Sequence, residues 1–153
     1  MSTTTYLLFK FLHVAAVIVW LGGLISVGLI NARAARSADR GLLAHLVRLS
    51  FWHGTRVIAP AAILTLVAGM VMLMLSPYGF GNAWVIWGLA ALILSVAIGA
   101  GVQQRAGTEL QKRLDAGTRG DERIGALQRR LARLNLVNVL ILASAVWAMV
   151  VKP

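Results

Sequence analysis

"VIAPAAILTLVAGMVMLMLSPYGFGNAWVIWGLAALILSVAIGAGVQQ", residues 57–104, contains no Asp, Glu, Lys or Arg. Its one interruption is "SPYGFGNA", residues 76–83, where Pro and Gly signal turns. On either side lies an apolar run, Val57–Leu75 and Ala83–Val102, long enough to cross a hydrocarbon core of about 30 Å as a helix. Backbone groups in lipid must bond within their own segment, so a helix is the form such a run takes. The stretch reads as two spans joined by a short uncharged linker, and it sets the fold class: an all-α polytopic membrane protein.

Two more apolar runs flank it, about Tyr6–Ile30 and Leu134–Val151. Four spans with short connections predict one membrane domain over residues 1–153, built as a four-helix up-down bundle. Composition agrees: 13% charged residues and a mean hydropathy of +0.78 exclude an ordinary soluble domain. The absence of cysteine removes disulfides, thiolate metal sites and cysteine nucleophiles. The first span lacks a basic start and is too long for a cleavable signal peptide.

The net charge of +10 is unevenly placed: 13 of the 15 basic residues lie between Arg33 and Arg56 or between Arg105 and Arg133. All five acids lie there too. This positive-inside pattern predicts a bacterial inner-membrane protein with both basic connections in the cytoplasm, against anionic lipid. The 76–83 linker and both termini are then outside. Nucleic-acid binding is disfavoured, because no basic stretch stands apart from a membrane-flanking loop.

Within the first connection, "SADRGLLAHLVRLSFWHG" (37–54) predicts a short interfacial helix, with Leu42, Leu43, Leu46 and Leu49 at helical spacing and Arg40 and Arg48 snorkelling. In the second, Leu110, Leu114, Ile124, Leu127, Leu131 and Leu134 predict that the third and fourth spans continue as a helical hairpin. It turns at "AGTRGD" (116–121), with Arg119 and Gly120 in the turn and Asp121 capping the returning helix.

One residue in the spans asks for a reason. "FKFLHVAAVIVWLGGL" (9–24) sets His13 into an apolar run, roughly 10 Å below the outer interface at 1.5 Å per residue. Trp20 follows two turns later on the same face, then Gly22 and Gly23. Such a histidine either bonds a neighbouring helix, worth about 0.6 kcal/mol in membranes, or serves a function. Neutral imidazole suits haem iron and copper. Met70, Met72, Met74, Met149, Trp84, Trp87 and Trp147 fall near the same outer layer. They are either gap-fillers and an interfacial belt, or part of a soft-ligand site open to the outer face. Met70 and Met74 share a helix face and Met72 points elsewhere. No span carries Asp or Glu, which argues against a carboxylate relay. Asn135 and Asn138 read as interhelical glue, and His45 and His53 as residues of the opposite interface.

These residues carry a resemblance. Lys10, His13, Trp20, Gly23 and Leu24 match the first helix of the HemJ-type protoporphyrinogen IX oxidases, Pro60, Thr65 and Gly69 their second, and Arg133, Asn135, Lys152 and Pro153 their last. The likeness implies that His13 is a haem b ligand. That family's third-helix lysine position is Gly88 here, and the acid after its last-helix Asn is Leu136, so the scaffold and His13 carry over and the oxidase activity does not. The whole chain is closer still to a related, uncharacterised family of predicted bacterial integral membrane proteins, sharing the "FGxxWxxWG" start of the third helix (Phe80–Gly88) and the "VWAMVxKP" ending. Both groups resemble the membrane domain of CopD copper-resistance proteins.

Three expectations stand together. The first is a haem b protein ligated by His13 and by Met70, water or another residue, with Gly22, Gly23 and Gly88 leaving room for the macrocycle and an electron-transfer partner. The second is a copper site of His13 with Met70, Met74 or Met149. The third is a cofactor-free membrane scaffold, with His13 packing within the chain or across a homo-oligomer.

Overall fold

A computed structural model of the chain describes residues 3–36, 39–117 and 122–151. They form α1 (Thr3–Ala34), α2 (Arg40–His53), a π-helical segment (Gly54–Ile58), α3 (Ala59–Leu75), α4 (Ala83–Val96), a second π segment (Ala97–Gln103), α5 (Gln104–Asp115) and α6 (Glu122–Val151). Because α2 runs through the first π segment into α3, and α4 through the second into α5, the helices group into four long ones. Thr3–Ala34, Arg40–Leu75, Ala83–Asp115 and Glu122–Val151 are each long and apolar enough to cross a membrane.

Four helices long and apolar enough to span a membrane are thus present, as the sequence predicts, with one correction. The 37–54 stretch does not form a separate interfacial helix; its described part is the beginning of the second long helix. Asp39 starts it, its Oδ1 accepting from the amides of Gly41 at 2.8 Å and Leu42 at 3.2 Å. Leu43 and Val47 are buried, whereas Leu42 and Leu49 face outward. Only one edge of the leucine stripe meets the bundle. The Arg119–Gly120 turn, the Asp121 cap, Lys152 and Pro153 lie outside the described residues.

The first π segment has a local cause. Pro60, at the start of α3, has no N–H to donate, so the α-helical ladder is interrupted there in any case. The wider turn absorbs this: Ala59 N–H bonds the Gly54 carbonyl five residues back. In the second segment, which holds Gly99 and Gly101, the Gln104 N–H bonds the Gly99 carbonyl in the same way. Gly117, with φ 68°, ends α5 in the left-handed conformation that glycine tolerates.

Helix α3 packs on α1, α1 on α6 and α6 on α4, while α2 meets α5. The α1–α3 contact is close because α3 presents Ala61, Ala62, Thr65 and Ala68. Trp20, Leu24, Ala61, Ala62 and Leu142 form the central apolar layer. A second layer, of Ala34, Leu43, Val47, Leu110 and Ile124, joins α1, α2, α5 and α6 at the charged end. Outward, Phe11, Ile18, Leu29, Ile63, Ile93 and Leu140 are all more than half exposed. Such a girdle is unsustainable in water and ordinary in lipid.

Candidate cofactor cavity

With α3 and α4 flanking α1 and α6, a cavity of about 560 Å³ opens among them. His13 and Trp20 line it from α1, Met70 and Met72 from α3, Gly88 from α4 and Met149 from α6. His13, Trp20, Met70, Gly88 and Met149, all singled out from the sequence, thus share one wall system. Gly23 and Met74 do not line it.

His13 is held from one side. Its Nδ1 lies 2.8 Å from the main-chain oxygen of Thr65. A carbonyl can only accept, so Nδ1 carries the proton and donates, and the lone pair of the neutral ring is on Nε2. The Thr65 hydroxyl bonds its own helix, at Ala61 O, 2.8 Å away. Gly69 completes the seat: a Cβ there would stand 2.9 Å from His13 Cε1 and 3.0 Å from Nδ1. The sequence marked Gly69 only as part of a family-like motif; the structure supplies the close approach that requires it.

The methionines sort differently from the sequence reading. The cavity-facing side of α3 centres on Gly69, Leu73 and Ser76. At about 100° per residue, Met70 and Met72 fall on the two edges of that face, and Met74 lies roughly 40° beyond Met70. Met74 is accordingly 72% exposed. Met72, which the sequence reading turned away, lines the cavity.

The glycines have specific neighbours. A Cβ on Gly23 would meet Ile58 Cγ1 at 2.9 Å and His53 Nε2 at 3.3 Å, so Gly23 accommodates the first π segment and its preceding residue. His53 is turned into the bundle there. Gly22 faces away, with nothing within 4 Å of an added Cβ. Gly88 does line the cavity, but the space a Cβ would take is filled by the Met149 methyl. Leu136 is 59% exposed and faces outward.

Tyr6 and Lys10 also line the cavity, Lys10 one turn before His13 and the only charged side chain among the described lining residues. Tyr78 stacks edge-on against Trp84, with centroids 5.6 Å apart. Trp87 instead donates from Nε1 to Ser144 Oγ at 3.2 Å. Among the described residues no three His, Cys, Asp or Glu side chains meet. The soft donors among the described lining residues are one imidazole and the thioethers of Met70, Met72 and Met149.

The cavity fits a flat apolar cofactor on three counts: its volume is in the range of about 300–1,000 Å³ usual for such sites, its walls are apolar, and an oriented imidazole stands in one wall. No curated protein and no solved structure matches the chain. Residues 7–153 match the family model described as "Predicted integral membrane protein (DUF2269)", which covers nearly the whole chain, and the protein belongs to that family.

Proposed function

We propose that this protein binds haem b through His13 Nε2 and serves in membrane electron transfer. The observation that supports this reading is the His13–Thr65 bond, which leaves the lone pair of the neutral ring on Nε2, on a residue that lines a large apolar cavity. Bound haem would supply one-electron chemistry. The chain's own residues would orient the ligand (Thr65 and Gly69), exclude water (Trp20, Trp84 and the apolar walls) and offer a cation to an acidic substituent (Lys10). A thioether from Met70, Met72 or Met149, if it also held the iron, would raise the potential.

The likeness of the chain to the HemJ-type oxidases, and of both groups to the CopD membrane domain, belongs to the same proposal. Gly88 and Leu136, in place of a lysine and an acid, separate it from the oxidase reaction. The charge pattern supports a bacterial inner membrane, with the basic connections against anionic lipid in the cytoplasm and the cavity opening on the outer face. A soluble or membrane-bound redox partner would then dock outside.

The convergence of His13 with Met70 and Met149 on one cavity favours a second reading, a Cu(I) site. Absorption spectra of detergent-purified protein from haem-replete cells, oxidised and reduced, decide between them. A Soret band that is lost or displaced in His13→Ala is the expected result. A colourless wild-type protein would reject the haem reading, and copper content after Cu(I) loading would then test the second. If neither is retained, the protein acts as a cofactor-free scaffold.

A further inference from the structure

Helix α1 packs on α3 and on α6, and α4 packs on α6. Helices α3 and α4, although consecutive in the chain, form no such interface among the described residues. The charged end is different. There α2 meets α5, and the Phe51 ring lies over Gly107. One π segment carries α2 into α3, and the other carries α4 into α5. The second and third long helices therefore meet at the charged end and separate beyond their π segments.

The separated parts line the His13 cavity, with Leu66 and Leu73 from α3 and Leu89 and Leu92 from α4. On both helices this lining runs into the lipid-facing surface. Ile63 stands three residues before Leu66, and Ile86 and Ile93 stand three before and four after Leu89. Residues at those spacings share a helix face. Ile63, Ile86 and Ile93 are all more than half exposed. The cavity is thus continuous with the outward apolar girdle along the α3–α4 seam.

Hydrocarbon is the medium that suits such an opening. A helix bonds its own backbone groups, so an unclosed seam presents no unmet main chain to lipid. Aliphatic side chains on both sides give water no partners there. An alkyl chain gains dispersion contacts that an empty seam would forfeit.

We propose that the His13 cavity opens sideways to the bilayer between α3 and α4 and, without a cofactor, holds an acyl chain of a membrane phospholipid. The same seam is then the route by which an apolar ligand reaches His13 from the membrane. This chain site goes beyond the haem reading and does not require it.

The test is photo-crosslinking of wild-type protein in nanodiscs of phosphatidylcholine that carries a diazirine in its acyl chain. The protein comes from a host that makes no haem, so the outcome is independent of haem binding. Mass spectrometry is expected to find lipid adducts on Leu73, Leu89 and Leu92 as well as on the outward Ile63 and Leu140. Leu89→Trp, which puts a bulky ring in the seam, should abolish the adducts on Leu73 and Leu92 and spare those on Leu140. Wild-type adducts confined to outward residues would overturn the proposal, the seam then being closed by its own helices or by a second copy. Labelling of Leu73 and Leu89 by a water-soluble diazirine in place of the lipid would overturn it as well, since the cavity would then hold water.

Discussion

His13 Nδ1 and the main-chain oxygen of Thr65 lie 2.8 Å apart although 52 residues separate them in the chain, and Gly69 makes that approach possible. A ligating histidine is commonly oriented by a carbonyl bonded to its other nitrogen. Here the carbonyl belongs to a helix whose facing surface is nearly all small residues.

Gly69→Val is therefore expected to displace the ring. A branched side chain in that seat should cost about 1–3 kcal/mol of stability through overpacking. If the proposed haem is bound, the variant should show a weakened or shifted Soret band while still unfolding cooperatively in detergent. A folded Gly69→Val protein with an unchanged spectrum would break the link between this contact and ligation.

Methionine substitutions separate cavity from surface. Met74→Leu should leave the haem midpoint potential, or Cu(I) retention, unchanged, because Met74 is 72% exposed. Met70→Leu and Met149→Leu alter the donors on the cavity wall, and at least one should lower the potential or release the copper. Redox titration and metal analysis read these outcomes. An effect confined to Met74→Leu would be incompatible with the arrangement described.

Gly28 and Asn135 form a second close pair, since a Cβ on Gly28 would stand 2.5 Å from Asn135 Nδ2. Gly28→Ala should break the Asn135–Leu24 bond and lower stability by about 1–3 kcal/mol. Gly22→Ala is the control. It faces open space and should be neutral, or stabilising by up to about 1 kcal/mol through helix propensity. Thermal unfolding of the two variants in one detergent makes the comparison.

At the charged end, the Phe51 ring fills the space a Cβ on Gly107 would occupy. Gly107→Ala should loosen the contact between α2 and α5, and Phe51→Leu should restore part of the loss. A double-mutant cycle on the unfolding midpoint should give a coupling of about 0.5–3 kcal/mol. Additive effects would mean that the two residues do not share this space.

The spans were legible from residues 57–104 outward because membrane insertion depends on local composition summed over some twenty residues, with charge excluded. His13 and Met149 could be placed in one layer from their distance to the span ends. Angular position was harder to read. The difference between Met72 and Met74 turns on where the edges of a helix face lie, and those are set by the helices packed beside it. The continuity of α2 with α3 was hidden as well, because Pro60 and Gly54 look like a break and the wider turn that absorbs them is invisible to periodicity.

By itself, then, the sequence determined an all-helical membrane protein with four spans, a basic end, and one histidine set among methionines and tryptophans. Tertiary structure alone decided which glycine serves which neighbour: Gly69 seats His13, Gly23 admits Ile58 and His53, and Gly88 yields to Met149. It alone also buried Asn138 Oδ1 and Ser95 Oγ with no hydrogen-bond partner among the described residues. The reason is physical: hydropathy is a property of each segment, whereas close approach and hydrogen-bond satisfaction belong to pairs of segments and exist only once the helices have packed.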